Sequence, residues 1–371
     1  MSLDWQVITP LQKILYKLCA EWYTTSAQKE DVVYSTHSMF ICFAMLYLGS
    51  DANTKKQLES VFGYSSIPEE KFLNTMGQIV HKEPNQQTCV EIVNAIWAGM
   101  DLKFKDQFLA AVAKMECQMK NGDFKKNCEA VRQEINTFVQ TATKDVIKDF
   151  IQPGVISPDT VSVIINAIYF KGEWDKPFHI LPNKMEFEGA GEVTAMKVNV
   201  DSSASFEDDY TTVSVCYKGF EHKLVFVMPT NMKEFEAKKG LEQLKDIVVD
   251  TIQSFPEKRN VTIPKFSVES SFEMNDQLMK LGLTDPFGCA ADFSKMSDTK
   301  TYVSAAIHKA VVKVDEVGTV AAAATGIAMN RCCMRPMAPP RDVIINKPYY
   351  FAIVEGNNLP LFFGKVSHPK F

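Results

Sequence analysis

The most informative stretch of this chain is a run of small side chains: Glu316-Val317-Gly318-Thr319-Val320-Ala321-Ala322-Ala323-Ala324-Thr325. From Val317 to Asn330 the sequence contains no charged residue and no proline. A segment that slips between two strands of an existing sheet needs small side chains and an N–H group at every ladder position. The composition therefore predicts a segment that can become a new middle strand of a sheet.

Strand periodicity supports this interpretation. Alternate residues of a strand face the same side, so one face would carry Thr319, Ala321, Ala323, Thr325, Ile327 and Met329, all of which can be buried. Gly318 offers a hinge with free backbone angles at the start of the run. Four successive alanines also fit a helix, since alanine is the strongest helix former, and residue type alone leaves this alternative open. The flanking Gly318 and Gly326 and the β-branched Thr325 favour the extended form.

Three prolines, beginning at Pro336, limit the length of this segment. Proline has no N–H group to donate in a central strand, so an insertable segment must end before Pro336. From Gly318 to Arg331 or Cys332 there are about 14 residues, which would span roughly 45–50 Å as a strand. Such a strand can cross a large domain.

The rest of the chain separates into an early helical part, up to about residue 152, and a later part rich in strands. Helical periodicity predicts helices over 38–49, 105–119 and 129–151, and an amphipathic helix near the amino terminus that aligns Leu11, Leu15, Leu18 and Trp22. Runs of Val, Ile, Phe and Tyr between turn-forming residues predict strands over 161–170, 213–217, 223–228, 259–266, 309–314 and 349–354. This segregation predicts an α+β domain.

The charge and hydropathy of the chain exclude several partners. The net charge is −5 and the basic residues are scattered, which predicts no nucleic-acid partner and no membrane-surface patch. No uncharged apolar run is long enough to span a membrane. The amino terminus lacks the apolar run and the small-residue cleavage site of a secretory leader, so we expect a cytoplasmic protein, with leaderless secretion left open.

Nine cysteines, an odd number at irregular spacing, argue against a disulfide framework. We expect most of them to be free, buried thiols that act as small hydrophobic groups. The adjacent Cys332 and Cys333 are poor tetrahedral ligands, and no zinc-type spacing accompanies them. We therefore expect no metal and no cofactor, although oxidation of this pair could switch the loop off. A hydrolase is the alternative of a different class, but no Gly-x-Ser-x-Gly or His-Glu-x-x-His motif is present, so no enzyme is expected.

Four motifs in the right order resemble the serpin family, and the resemblance runs along nearly the whole chain. The family's hinge pattern is matched at Glu316, Gly318, Thr319, Ala321, Ala322, Ala323, Ala324 and Thr325. The segment NAIYFKGEWDKPF at 166–178 is similar to the strand that leads to the top of the family's central sheet. NKPYYF at 346–351 resembles the carboxy-terminal signature, with Tyr349 where phenylalanine is usual, and PLFFGKV at 360–366 resembles the closing strand.

The resemblance implies a fold and a mechanism. The fold is a single domain over 1–371, with helices packed on three β-sheets and an exposed reactive-centre loop at about 317–341. A serine protease attacks this loop and becomes acylated by the residue before the cut. The severed loop then inserts into the central sheet and carries the trapped enzyme with it, which makes the native fold metastable. We expect a monomer whose partner is a serine protease.

The resemblance also implies a set of residues that support the opening of the sheet: Ser35, Ser38, Asn166, Trp174 and His308. An ordinary buried histidine is the alternative interpretation of His308. The chain departs from the family nearby, with Thr36 in place of proline and Asp31 in place of asparagine.

Two counts for the residue before the cleaved bond disagree. Counting from Gly318 in the family's usual register gives Cys332, whereas counting back from Pro348 gives Met337. The candidate bonds are Arg331–Cys332, Cys332–Cys333 and Arg335–Pro336, of which the last is poor because trypsin-like enzymes cut badly before proline. We favour Arg331 or Cys332, and a trypsin-like target if the residue is Arg331. A solvated surface charge is the other interpretation of Arg331.

A serpin fold that does not inhibit, acting as a carrier or chaperone, is the main alternative function. Such members tend to carry charged, bulky or proline residues in the hinge. Thr319 and the four alanines favour inhibition, although Val317 and Val320 replace glutamates that many inhibitors have.

Overall fold

The computed structural model of the protein describes residues 5–25, 30–80, 88–239, 243–319, 340–356 and 358–371. Within these ranges the α-helices are α1 (Trp5–Thr25), α2 (Thr36–Gly49), α3 (Ala52–Phe62), α4 (Glu69–Val80), α5 (Asp106–Ala113), α6 (Phe124–Ala142), α7 (Met232–Lys239), α8 (Gln243–Gln253) and α9 (Asn275–Lys280). Among the helices of these ranges, none combines the length and the apolar composition needed to cross a bilayer.

The strands, in chain order, are β1 (Val32–Tyr34), β2 (Thr88–Gly99), β3 (Gln118–Gly122), β4 (Ser162–Glu173), β5 (His179–Ile180), β6 (Met185–Phe187), β7 (Gly191–Val193), β8 (Ala195–Ser202), β9 (Ala204–Phe206), β10 (Tyr210–Cys216), β11 (His222–Pro229), β12 (Glu257–Pro264), β13 (Phe266–Glu273), β14 (Ala305–Val314), β15 (Gly318–Thr319), β16 (Arg341–Ile344), β17 (Tyr349–Glu355) and β18 (Leu359–Val366).

These strands form three main sheets and one hairpin. The central sheet has six strands in the order β13-β14-β15-β4-β2-β3, and the second sheet has six in the order β1-β18-β17-β11-β10-β9. The third sheet has the order β16-β12-β8-β5, and β6 and β7 form a separate hairpin. The predicted α+β fold with helices packed on three sheets is confirmed.

The strands β4 and β14 are direct neighbours in the central sheet. The two strands run parallel and pair directly from Val163 opposite Ala305 to Tyr169 opposite Val311. Above this paired region, Gly318 and Thr319 of β15 lie between the same two strands. We call the line between β4 and β14 the seam.

Helices cover both faces of the central sheet. On one face α6 buries Val131, Ile135 and Val139, which recur at helical spacing, against the sheet. On the other face lies α2, which is apolar nearly all round and almost completely buried. A helix that is hydrophobic on every side must be enclosed by other elements. This position brings the amino-terminal end of α2 to the seam.

Two predicted helices are too long. The helix predicted over 105–119 ends at Ala113, because Glu116 has a left-handed φ of 55° and 118–122 forms β3. The helix predicted over 129–151 ends at Ala142, and Lys144 and Asp145 adopt left-handed φ values of 51° and 64°. The amphipathic helix at the amino terminus is confirmed, with Leu11, Leu15, Leu18 and Trp22 all buried.

The six predicted strands are confirmed as parts of β4, β10, β11, β12, β14 and β17, with the end of the 259–266 run reaching the start of β13. The first part is predominantly helical, as expected, but it also contains the strands β1, β2 and β3, which were not predicted. The second half of β2, from Val93 to Ala98, forms a buried run in which apolar and polar residues do not alternate regularly. Such runs cannot be distinguished from buried helices by periodicity.

The seven cysteines within the described residues are all free. Cys19, Cys42 and Cys117 are buried, as expected, but Cys89, Cys128 and Cys216 are only partly buried and Cys289 is exposed. The expectation that most thiols are buried is therefore wrong for these four. Cys332 and Cys333 lie outside the described residues.

Tyr349, the departure from the family's phenylalanine, packs among aromatic rings. Its ring is fully buried and meets Phe187, Phe226 and Phe266 edge-on. In the part of the chain that the structure describes, no atom accepts a hydrogen bond from its hydroxyl group or donates one to it. An unpaired buried hydroxyl destabilises the folded state by about 1–3 kcal/mol.

We therefore expect Tyr349→Phe to raise the free energy of unfolding of the native state by about 1–2 kcal/mol. Tyr350→Phe is the matched control, since the Tyr350 hydroxyl donates to Glu236 Oε1 at 2.5 Å, and its loss should lower the free energy of unfolding. Urea unfolding of both variants measures the difference. A destabilised Tyr349→Phe protein would contradict the prediction.

Candidate functional site

The hinge of the predicted loop lies in the central sheet, at the upper end of the seam. Gly318 pairs with Glu173 and Thr319 with Gly172 in antiparallel register, and Thr319 also pairs with Val314 on the other side. The first two residues of the loop thus already occupy the position of an inserted strand. We call this point, where β4 and β14 separate around β15, the fork.

Gly318 is required for a reason other than hinge freedom. A Cβ atom at this position would lie 2.0 Å from the carbonyl oxygen of Gly172 and 2.7 Å from Cα of Glu173. No side chain fits such an approach of two backbones. The glycine predicted as a flexible hinge therefore acts by permitting close contact between β15 and β4.

A tight turn sends the chain back into the sheet. The Asp315 carboxylate accepts hydrogen bonds from the backbone N–H groups of Val317 and Gly318 at 2.9 and 3.1 Å. The Gly318 carbonyl accepts from the Asp315 N–H at 2.8 Å. Aspartate commonly stabilises turns in this way. The Trp174 N–H donates to the Val317 carbonyl at 3.0 Å, which fastens the turn to the end of β4.

Aromatic side chains hold the hinge from below. The hydroxyl groups of Thr319 and Tyr217 are 2.7 Å apart, and both residues are fully buried. The Tyr217 ring stacks on Trp174 at 4.4 Å between centroids, and Trp174 Nε1 donates to the Asp315 carbonyl at 2.8 Å. Burial raises the pKa of Tyr217, so its hydroxyl stays neutral and available for the bond to Thr319.

Glu316 is fixed by an ion pair on the outer side of the turn. Its carboxylate lies 2.7 Å from Lys265 Nζ, and its carbonyl accepts from the Phe178 N–H at 2.8 Å. Partial burial opposes ionisation, but the hydrogen bond and the charge of Lys265 outweigh this effect and lower the pKa of Glu316. At neutral pH the Glu316 side chain is therefore charged and paired with Lys265.

A second group of predicted residues meets at the middle of the seam. Asn166 of β4 and His308 of β14 are paired in register, and His308 Nδ1 lies 2.5 Å from Asn166 Oδ1 across the seam. Ser38 Oγ donates to the same oxygen at 3.0 Å. The Asn166 amide donates to the Ser38 carbonyl at 3.1 Å and to Asn94 Oδ1 at 2.6 Å. We call Ser35, Ser38, Asn94, Asn166 and His308 the seam cluster.

The amino terminus of α2 positions the serines of this cluster. Ser35 is the N-cap residue, and its hydroxyl accepts from the Ser38 N–H at 3.0 Å. The Ser35 N–H donates to His308 Nε2 at 3.1 Å. Because Nε2 accepts, Nδ1 must carry the proton and donate to Asn166, so the imidazole is neutral. Burial lowers the pKa of His308 to about 3.

The native state should therefore lose stability as the pH falls through the ordinary pKa of histidine. Between about pH 6.5 and pH 3 the unfolded chain binds a proton at this position that the folded chain refuses. At pH 5 the loss is about 2 kcal/mol. We expect His308→Gln to flatten this part of the pH dependence in urea unfolding measured between pH 8 and pH 5.

The exposed His179 provides the control for this prediction. His179→Gln makes the same substitution at a surface position away from the seam, so it shows the effect of the exchange alone. An unaltered pH dependence in the His308 variant would show that the imidazole is not held neutral in the folded protein.

Comparison with known proteins agrees with this geometry. A family model described as serpin (serine protease inhibitor) matches residues 13–369. The leukocyte elastase inhibitor of Xenopus tropicalis is 30% identical over 358 residues, which covers 91% of this chain and 93% of that protein. The chain belongs to the serpin family.

Solved serpin structures share the fold along the whole chain. Serpin48 of the insect Tenebrio molitor matches with a TM-score of 0.84 at 22% identity, covering 100% of both chains. Human thyroxine-binding globulin matches with a TM-score of 0.84 at 23% identity, covering 98% of each chain. At this identity the likeness concerns the fold alone.

The predicted site residues of this serpin fall in two places along the seam. One group lies at the fork: Trp174, Glu316, Gly318 and Thr319. The other group lies together at the middle of the seam: Ser35, Ser38, Asn166 and His308. The remaining predicted positions, Ala321, Ala322, Ala323, Ala324, Thr325, Arg331, Cys332 and Cys333, lie outside the described residues. Both ends of the predicted loop, 317 and 341, adjoin strands. β15 begins at Gly318, and β16 begins at Arg341.

The two departures from the family have local explanations in this serpin. The Thr36 hydroxyl lies 3.2 Å from the Leu15 carbonyl, to which it donates, and 3.0 Å from Cys19 Sγ. It therefore links the start of α2 to α1. The Asp31 carboxylate accepts from the N–H groups of Ser367 and His368 at 2.7 and 2.9 Å. Both residues thus anchor the segment that carries Ser35.

Four residues of the site were missed from the sequence: Asn94, Tyr217, Lys265 and Asp315. Asn94 had a usable signal, since it is a lone amide within an apolar run, and buried polar groups need partners. Tyr217 ended a predicted strand and gave no other signal. Among the described residues, no three His, Cys, Asp or Glu side chains are placed to hold a metal ion together.

Proposed function

We propose that this serpin inhibits serine proteases as a suicide substrate, through insertion of its cleaved loop into the seam. The observation that carries the proposal is the fork, where Gly318 and Thr319 already pair with β4 and β14. A strand that has begun to insert needs only continued separation of β4 from β14. The family includes inhibitors, and the leukocyte elastase inhibitor is among the similar proteins.

The chemistry is ordinary acyl transfer that stops halfway. The protease serine attacks the carbonyl carbon of the residue before the cut, and the amine of the following residue leaves with a proton. The severed loop then inserts and displaces the attached enzyme before water can hydrolyse the ester. About a dozen new residues of strand, at roughly 0.5–1.5 kcal/mol per hydrogen bond, favour insertion by about 10 kcal/mol. The native state is a kinetic trap.

The register of β15 supports a scissile bond near Arg331. In the antiparallel pairing, each step along the loop is one step back along β4. Met329 lies ten residues after Thr319, and Ser162, the first residue of β4, lies ten residues before Gly172. Insertion to the end of β4 therefore uses the loop as far as Met329. A cut after Arg331 or Cys332 leaves a short tether, whereas a cut after Met337 would leave a long one that contains Pro336.

If the inserted loop continues in the same register, Thr325 would lie beside the seam cluster. Thr325 lies six residues after Thr319, and Asn166 lies six residues before Gly172. Insertion must break the contact of His308 Nδ1 with Asn166 Oδ1, since that contact crosses the seam. A threonine hydroxyl can both donate and accept. Thr325 therefore offers new partners to the two groups that insertion separates.

The proposed target is a trypsin-like protease, because Arg331 carries a permanent positive charge close to the end of the insertable segment. The specificity pocket of trypsin-like enzymes holds a carboxylate that binds such a side chain. Incubation with trypsin should give a covalent complex that survives boiling in SDS. Cleavage of the loop by a non-target protease should raise the thermal stability of the protein.

Two results would refute the proposal. If trypsin cut the loop and was released fully active, the protein would be a substrate rather than an inhibitor. If the cleaved protein also melted at the same temperature as the intact protein, no insertion would have occurred. A carrier or chaperone with the serpin fold would then be the better interpretation.

A further inference from the structure

The lower end of the seam is closed by hydrogen bonds that differ from the rest of the ladder. One residue below the last paired positions, the Ser304 N–H donates to the Ser162 carbonyl at 2.9 Å. The Val161 N–H donates to Ser304 Oγ at 2.9 Å, and Ser162 Oγ donates to the Tyr302 carbonyl at 2.8 Å. The side chain of each serine thus bonds the backbone of the opposite segment. We call Val161, Ser162, Tyr302 and Ser304 the lower clasp.

These side-chain bonds exist only while β4 and β14 are neighbours. A serine hydroxyl reaches no further than the adjacent strand, and a new strand between them would separate the two by a further strand spacing of about 4.8 Å. Backbone groups on β4 and β14 can find new partners on an inserted strand, because that strand supplies its own N–H and carbonyl groups. The two serine hydroxyl bonds have no such replacement within the ladder.

The segment that carries Ser304 is held from its other side. Asn275 Nδ2 donates to the Ser304 carbonyl at 3.0 Å, and Asn275 Oδ1 accepts from the Ala306 N–H at 2.8 Å. Asn275 belongs to α9, on the side of β14 away from β4. The lower end of β14 therefore stays with α9 when the seam opens. Opening of the seam must therefore break the hydrogen bonds that join Val161 and Ser162 to Tyr302 and Ser304.

We infer that the lower clasp is a late barrier to loop insertion and sets the partition between trapped and released protease. This inference rests on the proposed function. In the register of β15, Met329 arrives opposite Ser162 and Asn330 opposite Val161. The clasp thus lies where the last loop residues before the acylated position must enter the sheet. Ser162 and Ser304 act as positioning residues that delay this final step.

Ser162→Ala and Ser304→Ala test the inference. Each variant removes one hydrogen bond that the native seam has and the inserted form lacks. The ratio of trapped to released trypsin in a single turnover, measured after an SDS quench, should rise about threefold to tenfold. The acylation rate should not change, because acylation precedes opening of the clasp. The melting temperature of the cleaved protein should also not change.

Two kinds of control separate this role from general destabilisation. Ser66→Ala removes a hydroxyl-to-carbonyl bond of the same 2.8 Å length, from Ser66 Oγ to Gly63, at an exposed site away from the seam. It should leave the partition unchanged. Ser304→Thr keeps the hydroxyl at this position and should restore the wild-type ratio. Hydrogen exchange at the Val161 amide should rise in Ser304→Ala and not in Ser66→Ala, which shows directly that the clasp has opened.

The failure of the clasp and the failure of the proposed function give different results. Wild-type protein that traps trypsin, with Ser→Ala variants that trap it in the same ratio, would overturn the clasp and leave the proposed function standing. Wild-type protein that traps no protease but gains thermal stability on cleavage would overturn the proposed function. The role of the clasp would then be tested by the rate at which the cleaved protein gains thermal stability. This rate should be about threefold to tenfold higher in the Ser→Ala variants. Equal rates would overturn it.

Discussion

Thr319→Arg should convert the inhibitor into a substrate that trypsin cleaves and then leaves. Thr319 is fully buried between β14 and β4, and its hydroxyl lies 2.7 Å from the Tyr217 hydroxyl. An arginine at this position would place an unpaired charge in the core, which costs several kcal/mol. Insertion would stop at its first residues. We expect the yield of covalent complex to fall by at least roughly a hundredfold.

The yield of SDS-resistant complex and the rate of loop cleavage together measure this effect. Thr319→Val is the matched control, because valine keeps the shape of threonine and removes only the hydroxyl. This variant should still trap trypsin, with a slower insertion. Continued formation of covalent complex by Thr319→Arg would show that inhibition does not require a hinge buried between β14 and β4.

Arg331→Ala should abolish inhibition of trypsin. A specificity pocket built around a carboxylate discriminates strongly against a side chain that leaves it unpaired, by roughly 10⁴-fold in favourable cases. Arg335→Ala is a close control, since it removes the same charge four residues further along the chain. That variant should inhibit trypsin at the wild-type rate, because the bond after Arg335 precedes a proline.

The mass of the carboxy-terminal fragment released from the complex identifies the cleaved bond. Cleavage after Arg331 predicts a fragment that begins at Cys332, and cleavage after Cys332 predicts one that begins at Cys333. Full trypsin inhibition by Arg331→Ala, together with loss of inhibition in Arg335→Ala, would move the reactive bond beyond the insertable segment. A cut after Arg335 would leave a longer tether between the inserted strand and the enzyme than a cut after Arg331.

The oxidation state of Cys332 and Cys333, beside this bond, should affect the inhibition assays of the Thr319 and Arg331 variants. Cys332 and Cys333 are adjacent in sequence, and oxidation of either would alter the residues that the protease must bind. We therefore expect inhibition to be stronger with reductant present if these thiols face the enzyme. Assays of the variants should be run in the same reducing buffer, so that a change in charge is not confused with a change in oxidation state.

Much of this protein follows from local sequence. The amphipathic α1, the apolar α2 and the strands β4, β14 and β17 follow from hydrophobic periodicity and from β-branched and aromatic composition. The hinge follows from small side chains and the absence of charge and proline. These features depend only on neighbouring residues, so one sequence is enough to find them.

Other features depended on long-range pairing. Glu116, Lys144 and Asp145 end helical patterns early because of left-handed backbone angles that their residue types do not require. β2 was not predicted, and its buried second half lacks the alternation that identifies a strand. Gly318 looked like a flexible hinge, whereas its real constraint is the Gly172 carbonyl, which belongs to a strand about 150 residues away in sequence.

Sequence reasoning alone predicts a segment able to become a strand, and it predicts that this segment ends before Pro336. Only the tertiary structure decided where that strand begins, what holds it and what closes the seam in front of it. Asn94, Tyr217, Lys265, Asp315 and the serines of the lower clasp meet through the register of strands far apart in the chain. A shift of one residue would turn each of these side chains to the opposite face, and no local pattern specifies which register the sheet adopts.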